Sequence, residues 1–202
     1  MNYLAHLYLS ENDKNILLGN FIADAVKGSS YKKYSEEIQL GIVLHRCIDS
    51  FTDNDLTVKK SKRRLHPRYK HFKGIIIDIF YDHFLAKNWN DYSTKALNEF
   101  SQSFYEILNE NKEILPEKIQ TITPYIIKND WLTNYRTLDG IEKVLIGMNK
   151  RTGEISQMNL AINDLKDNYR DFEDDFEFFF EKLRIFSAKK LEELKILNQK
   201  NI

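Results

Sequence analysis

An all-α, single-domain helical bundle is the fold class that this sequence predicts, on three observations. Only seven Gly and three Pro punctuate 202 residues in which Leu, Ile, Lys, Glu and Asn dominate, a composition suited to long helices with short connections. Polar residues recur four apart inside apolar sequence, as Asn20 and Asp24, His45 and Asp49, and Asp78 and Asp82, which stacks each pair on one helix face. A hydrophobic content of 42% supports one sizeable core, and no repeat, Gly/Ser linker or low-complexity tract marks a second domain, so the domain is expected to span 1–202.

The first helix is expected over about 12–27, ended by Gly28, and the second over 34–54, where Leu44, Ile48 and Phe51 form an apolar stripe beside His45 and Asp49. The third, over 70–89, carries Ile75, Ile76, Ile77, Ile79, Phe80, Phe84 and Leu85. It is apolar almost all round and therefore buried. A short buried strand over Ile75 to Phe80 is the alternative, but Asp78, Asp82 and Ala86 carry a four-residue rhythm past strand length. Further helices follow over 94–113, ended before Pro116, then 117–128, 131–150, and 154–198 with a break.

Thirty Lys and Arg balance thirty Asp and Glu, so the chain as a whole attracts neither nucleic acid nor an anionic membrane. The lone Cys47 excludes an internal disulfide and reads as a small buried filler. The opening residues lack a basic region of the secretory kind, and no stretch is apolar enough to span a bilayer, which favours a cytoplasmic setting. Charge is unevenly spread. Lys59 to Lys73 is basic throughout, with His66 and His71 expected at its surface, and Asp164 to Glu177 is mostly acidic and expected as a solvated face, although the two runs could also pair.

Two carboxylates in an apolar helix need a cation, a hydrogen-bond partner or a proton, and a divalent metal is one solution for Asp78 and Asp82. His45 and Asp49, with Asp53 extending their line, the adjacent Asp82 and His83, and His6 supply the imidazole and carboxylate types that a metal-assisted phosphoester hydrolase uses. The competing reading makes His45 and Asp49 an intrahelical pair, Asn20 and Asp24 caps or bridges, and Asp78 a buried ion pair with Arg46. Trp89, Trp131 and Tyr135 read as core aromatics. No nucleophile elbow, phosphate loop or Cys-x-x-Cys pair is present.

Taken in order, Met1-Asn2-Tyr3-Leu4-Ala5-His6, Gly19-Asn20 with Asp24, Gly41-Ile42 leading to His45-Arg46 with Ile48-Asp49 and Phe51-Thr52-Asp53, and Asp78 with Asp82-His83-Phe84-Leu85-Ala86 and Trp89 resemble the acyl carrier protein phosphodiesterase family. Trp131-Leu132 with Tyr135 and Gly147-Met148 with Arg151 add to the resemblance, which covers about residues 1–151; 154–202 adds only helical character. Cys47 stands where members often carry a second arginine, and the doublet Asp82-His83 reverses the His-Asp order.

The resemblance implies a divergent HD-type phosphohydrolase fold and a divalent metal, Mn²⁺ first, with Mg²⁺ or another ion as alternatives. It also implies hydrolysis of the bond joining 4′-phosphopantetheine to a serine of holo-acyl carrier protein, within fatty acid and lipid metabolism. On this expectation Asp24, His45, Asp49, Asp78 and Asp82 hold the metal, and Asn20 and Asp53 support them. Arg46 neutralises phosphate, and His83 and His6 serve the chemistry. Arg63, Arg64, Arg68 and Lys70 dock the acidic carrier. A hydrolase of small nucleotides or other phosphodiesters, and a non-catalytic interaction protein with structural polar pairs, are the rival readings.

Overall fold

The structure, a computed structural model, describes residues 2–199. The chain runs through α1 (Tyr3–Tyr8), α2 (Lys14–Ile22), α3 (Glu36–Asn54), α4 (Leu56–Arg64), α5 (Lys73–Lys87) and the short α6 (Trp89–Tyr92). It continues through α7 (Leu97–Glu110), α8 (Glu117–Lys128), the short α9 (Trp131–Asn134), α10 (Leu138–Arg151), α11 (Ala161–Asp167) and α12 (Tyr169–Gln199). No strand occurs among the described residues, so the all-α expectation holds, and the buried side chains form one continuous core. No described helix is long and apolar enough to cross a membrane.

Local chemistry sets the helix starts. Asp13 accepts hydrogen bonds from the amides of Asn15 and Ile16 at 2.9 and 3.0 Å and so caps α2. Asp55 does the same for α4 through Thr57 at 2.7 Å. Thr137 accepts from the Gly140 amide at 3.0 Å, which is why the segment expected as one helix over 131–150 divides into α9 and α10. The expected helix over 12–27 ends early, in a 3₁₀ turn at Ala23–Ala25 that carries Asp24 out of the helix. α1 and α4 are additions to the expected elements: six residues are too few for a periodic signal, and the basic run hides the apolar pattern of α4.

Buried α5 is the axis of the fold, with α1, α4, α10 and α12 against it, while α2 lies along α3 and α12 also crosses α3. Phe172, Phe176, Phe179 and Phe180 make the inner stripe of α12 and are fully buried. Each such side chain contributes about 1.5–3 kcal/mol relative to exposure. Phe172 meets Phe80 edge-on at 5.2 Å and Phe176 meets Tyr81 at 5.7 Å. Where α2 and α3 cross, Gly19 and Gly41 face each other. A Cβ on Gly19 would strike the Ile38 carbonyl, and one on Gly41 the Ile16 carbonyl. This close approach sets Asn20, on α2, beside His45, on α3.

The acidic run is not a solvated face at its centre. Asp175, buried on α12, accepts from Ser61 Oγ at 2.7 Å, from Lys60 at 3.0 Å and from Arg64, and Asp164 accepts from the Tyr69 hydroxyl at 2.6 Å and the His66 amide at 3.0 Å. The two charged runs therefore clamp α12 and α11 to the α4 region.

Asp82, expected among the metal ligands, has its carboxylate engaged by the main chain of α1 instead. Fully buried on α5, it accepts from the main-chain N–H of Leu4 at 2.7 Å and of Ala5 at 3.1 Å, satisfying first-turn donors of α1 that the helix itself cannot. Burial raises its pKa to about 7 against these two bonds. Asp82→Ala strands two buried N–H groups, each worth about 1–3 kcal/mol. Chemical denaturation is expected to show a loss of about 2–6 kcal/mol for the two together, and a loss below about 0.5 kcal/mol, the level of an ordinary surface substitution, would refute the anchoring role.

Candidate metal centre and adjoining cavity

The site begins with one buried carboxamide. Asn20 Nδ2 donates to the His6 main-chain oxygen at 2.9 Å and to Ser10 Oγ at 2.7 Å, so its Oδ1 is left to accept. His6 Nδ1 donates to that oxygen at 2.8 Å, and His45 Nδ1 donates to it at 3.0 Å and to the Asn20 main-chain oxygen at 2.8 Å. With Nδ1 committed on both rings, both Nε2 atoms face the other way. The imidazoles stack, with centroids 3.9 Å apart and planes 18° from parallel.

Both Nε2 atoms meet Asp49: His6 lies 3.2 Å from Oδ1 and His45 3.1 Å from Oδ2, and Asp24 Oδ1 is 3.3 Å from His45 Nε2. One ligand atom each from His6, His45 and Asp49 lies within 4.8 Å of the others, the convergence that a single cation needs. Burial and the neighbouring His45 lower the His6 pKa to about 4, against the hydrogen bond to Asp49. Burial also opposes the charge on His45, but hydrogen bonds to Asp24 and Asp49 outweigh it and raise that pKa to about 9. The hydrogen bond to His45 holds Asp24 below the usual carboxylate range, and for Asp49 the bonds to both histidines overcome burial to the same effect.

The geometry suits a metal. With Nδ1 of each ring turned to Asn20, His6 Nε2 and His45 Nε2 approach the Asp49 carboxylate at 3.2 and 3.1 Å, so that both nitrogens and the carboxylate can reach one divalent cation. The carboxamide behind both rings is the kind of outer partner that fixes tautomer and orientation in metal-binding histidines.

A cavity of about 460 Å³ opens beside the cluster, with Asp24 on its wall and Asp78 also lining it. Burial raises the Asp78 pKa, and the Asp49 charge acts in the same direction. Tyr3, Trp131, Tyr135 and Met148 supply apolar surface, and Lys118, Lys143 and Arg151 supply cations. The Arg151 guanidinium lies 5.6 Å from the Trp131 ring centre. Trp131 and Tyr135 are thus cavity walls as well as core aromatics.

The structure brings His6, Asn20, Asp24, His45 and Asp49 together and sets Asp78 on the cavity wall; the other expected residues lie elsewhere. His83 is held between the Tyr135 carbonyl and the Tyr169 hydroxyl, each at 2.8 Å. Arg46 donates to the carbonyls of Val26 and Gly28 at 3.0 Å and lies over Tyr31, so it neither meets Asp78 nor points into the cavity. It borders a separate groove of about 660 Å³ with half-buried Cys47 and Phe186. Asp53 is an exposed partner of Lys62 at 3.0 Å. Arg64 is committed to Asp171 and Asp175, which leaves Arg63, Arg68 and Lys70 exposed. Lys118 and Lys143 carried no sequence signal, being ordinary lysines on amphipathic helices, whereas Arg151 stood in the Gly147-Met148 segment.

A family model described as acyl carrier protein phosphodiesterase matches residues 1–183. A protein of that name from Pectobacterium atrosepticum is 32% identical over 184 residues, 91% of this chain and 95% of the relative. Another, from Photorhabdus laumondii, is 33% identical over 181 residues, covering 89% and 91%. A third, from Klebsiella pneumoniae strain 342, is 32% identical over 197 residues, covering 95% and 100%. No solved structure matches the chain.

At pH 7 the metal-free cluster holds His45 protonated and His6 neutral, because their pKa values are about 9 and about 4. A divalent cation held by His45 would have to displace its proton, so the affinity of such a site for Mn²⁺ as a probe is expected to rise with pH up to about 9, with release of a proton on binding. The raised His45 pKa also means that its ion pairs stabilise the metal-free protein below the ordinary histidine range and are lost as pH rises through about 9. Titration calorimetry in buffers of different protonation enthalpy reads the proton directly, and binding without release would remove His45 from the ligand set.

Proposed function

Because this chain belongs to the acyl carrier protein phosphodiesterase family, we propose that it hydrolyses the phosphodiester linking 4′-phosphopantetheine to a serine of holo-acyl carrier protein, giving the apo carrier and free 4′-phosphopantetheine. The observation that carries the site assignment is the convergence of His6, His45 and Asp49 within 4.8 Å at the edge of a cavity that Asp24 and Asp78 share. His6, His45, Asp49 and Asp24 would hold a divalent cation, Mn²⁺ in the first instance. That ion would supply charge neutralisation at phosphate and acidify water at neutral pH.

The chain's own residues do the rest. Asn20 keeps both Nδ1 atoms protonated and both Nε2 atoms presented. Arg151, on the cavity wall, takes the phosphate-neutralising role first expected of Arg46, since a planar guanidinium matches phosphate oxygens in pairs. Water attacks phosphorus and the bond to the serine oxygen breaks. Asp78, with its raised proton affinity, is placed on the cavity wall to pass a proton to the departing alkoxide. An acyl carrier substrate and the half-buried free Cys47 suit the cytoplasm, and the balanced charge suits a protein partner over nucleic acid.

Intact-protein mass spectrometry of holo-acyl carrier protein, with and without Mn²⁺, tests the reaction. Metal-dependent loss of the phosphopantetheine mass is expected, abolished in Asp49→Ala, strongly reduced in Arg151→Ala and largely retained in Arg46→Ala. No loss with folded, metal-loaded protein would exclude this substrate.

Exposed Arg63, Arg68 and Lys70 precede α5, whose Ile75 and Asp78 line the cavity, so an acidic carrier drawn to this face would arrive near the cavity. The double variant Arg63→Glu/Arg68→Glu is expected to raise KM for the carrier and flatten its salt dependence without lowering kcat. Unchanged KM and salt slope would place docking on another face.

A further inference from the structure

Gly147 stands in the middle of α10, where glycine weakens a helix relative to alanine, yet nothing in the packing demands it. A Cβ built there meets no atom within 4 Å, in contrast to Gly140 on the same helix, whose Cβ would strike the Asn134 carbonyl. Gly147 also lines the cavity that Asp24 and Asp78 border. The missing side chain therefore keeps space open at the cavity wall.

The cavity's chemistry says what the space is for. Its volume of about 460 Å³ lies in the range of small-molecule sites. Trp131 and Met148 offer apolar surface, and Asn2 and Asn134, whose amide nitrogens donate to the Tyr135 hydroxyl and the Asn129 carbonyl, offer carboxamide oxygens that accept from amide groups. A ligand suited to this lining is a slender chain of methylene and methyl groups interrupted by amides, anchored at one end by an anion beside Asp24 and Arg151. We infer that this cavity is the binding site of the pantetheine arm, with Gly147 as the residue that admits it and Trp131 and Met148 as the walls that recognise it. The assignment rests on the reaction proposed above for the phosphate end. It further implies that the enzyme holds the leaving product by its arm, and so is inhibited by it.

Pantetheine itself, which lacks the phosphate, isolates the arm from the metal site. Wild-type protein without metal is expected to bind it, read by ligand-observed NMR and calorimetry. Gly147→Leu, with its helix content and melting temperature retained or raised, is expected to weaken binding roughly tenfold or more, since a few methylene groups in a fitted pocket carry that much discrimination. Gly147→Ala supplies helix propensity with little bulk and is expected to bind nearly as wild type. KM for holo-acyl carrier protein should rise in Gly147→Leu. Absence of pantetheine binding in the wild type, or equal binding in Gly147→Leu, overturns the inference. If holo-carrier is hydrolysed equally well by both proteins, the arm lies elsewhere while the proposed reaction stands. If pantetheine binding is lost in Gly147→Leu but the wild type leaves holo-carrier intact, the reaction falls and the cavity assignment holds.

Discussion

One carboxamide, that of Asn20, ties the first helix, the second helix and both candidate metal-binding histidines together. Its nitrogen closes on α1 through the His6 carbonyl and Ser10, and its oxygen receives both imidazole Nδ1 groups. The arrangement tolerates little displacement, because hydrogen bonds weaken steeply with distance and angle. The close crossing of α2 and α3 at Gly19 and Gly41 is the backbone condition for it. Any side chain at either glycine forces the helices apart and moves Asn20 from His45. The geometry of the site is thus a consequence of helix packing at Gly19, next to Asn20, and at Gly41, one helical turn before His45.

A second constraint fixes the other imidazole. His6 sits on a helix of only six residues, too short to persist alone. Asp82 holds that helix from the buried α5 by accepting two of its first-turn amides. The carboxylate acts at a distance as a cap, so a residue with no part in the cluster decides whether His6 reaches it. Asp82 and Asn20 are both fully buried polar groups with their hydrogen-bonding capacity used, the condition under which such groups specify an arrangement rather than destabilise it.

Electrostatics is divided between two tasks. On the face formed by α4 and α12, buried Asp175 gathers Lys60, Arg64 and Ser61, and the charges there serve cohesion. Around the cavity, Asp24 and Asp78 share the lining with Lys118, Lys143 and Arg151. Asp24 and Asp49 beside the histidines favour a cation, and the lysines and arginine of the cavity lining favour an anionic ligand.

The sequence by itself determined the helical class, the burial of α5 and most of the residues that meet in the candidate cluster. His45 with Asp49, and Asn20 near Asp24, were legible because helical spacing of polar residues in apolar surroundings is a local property. The family resemblance supplied the chemistry. Tertiary structure decided the roles. Asp82 and Asp78 share one helix and spacing, yet one anchors α1 and the other lines the cavity. Arg46 is next to His45 in sequence and turns away from the site, whereas Arg151, more than a hundred residues distant, lines the cavity. Asp24 lies beyond α2 in a 3₁₀ turn, with its carboxylate 3.3 Å from His45 Nε2. Periodicity reports which side of its own helix a residue occupies. What stands opposite that side depends on helix crossings, close backbone approaches and caps supplied by distant side chains, and these exist only once the chain is folded.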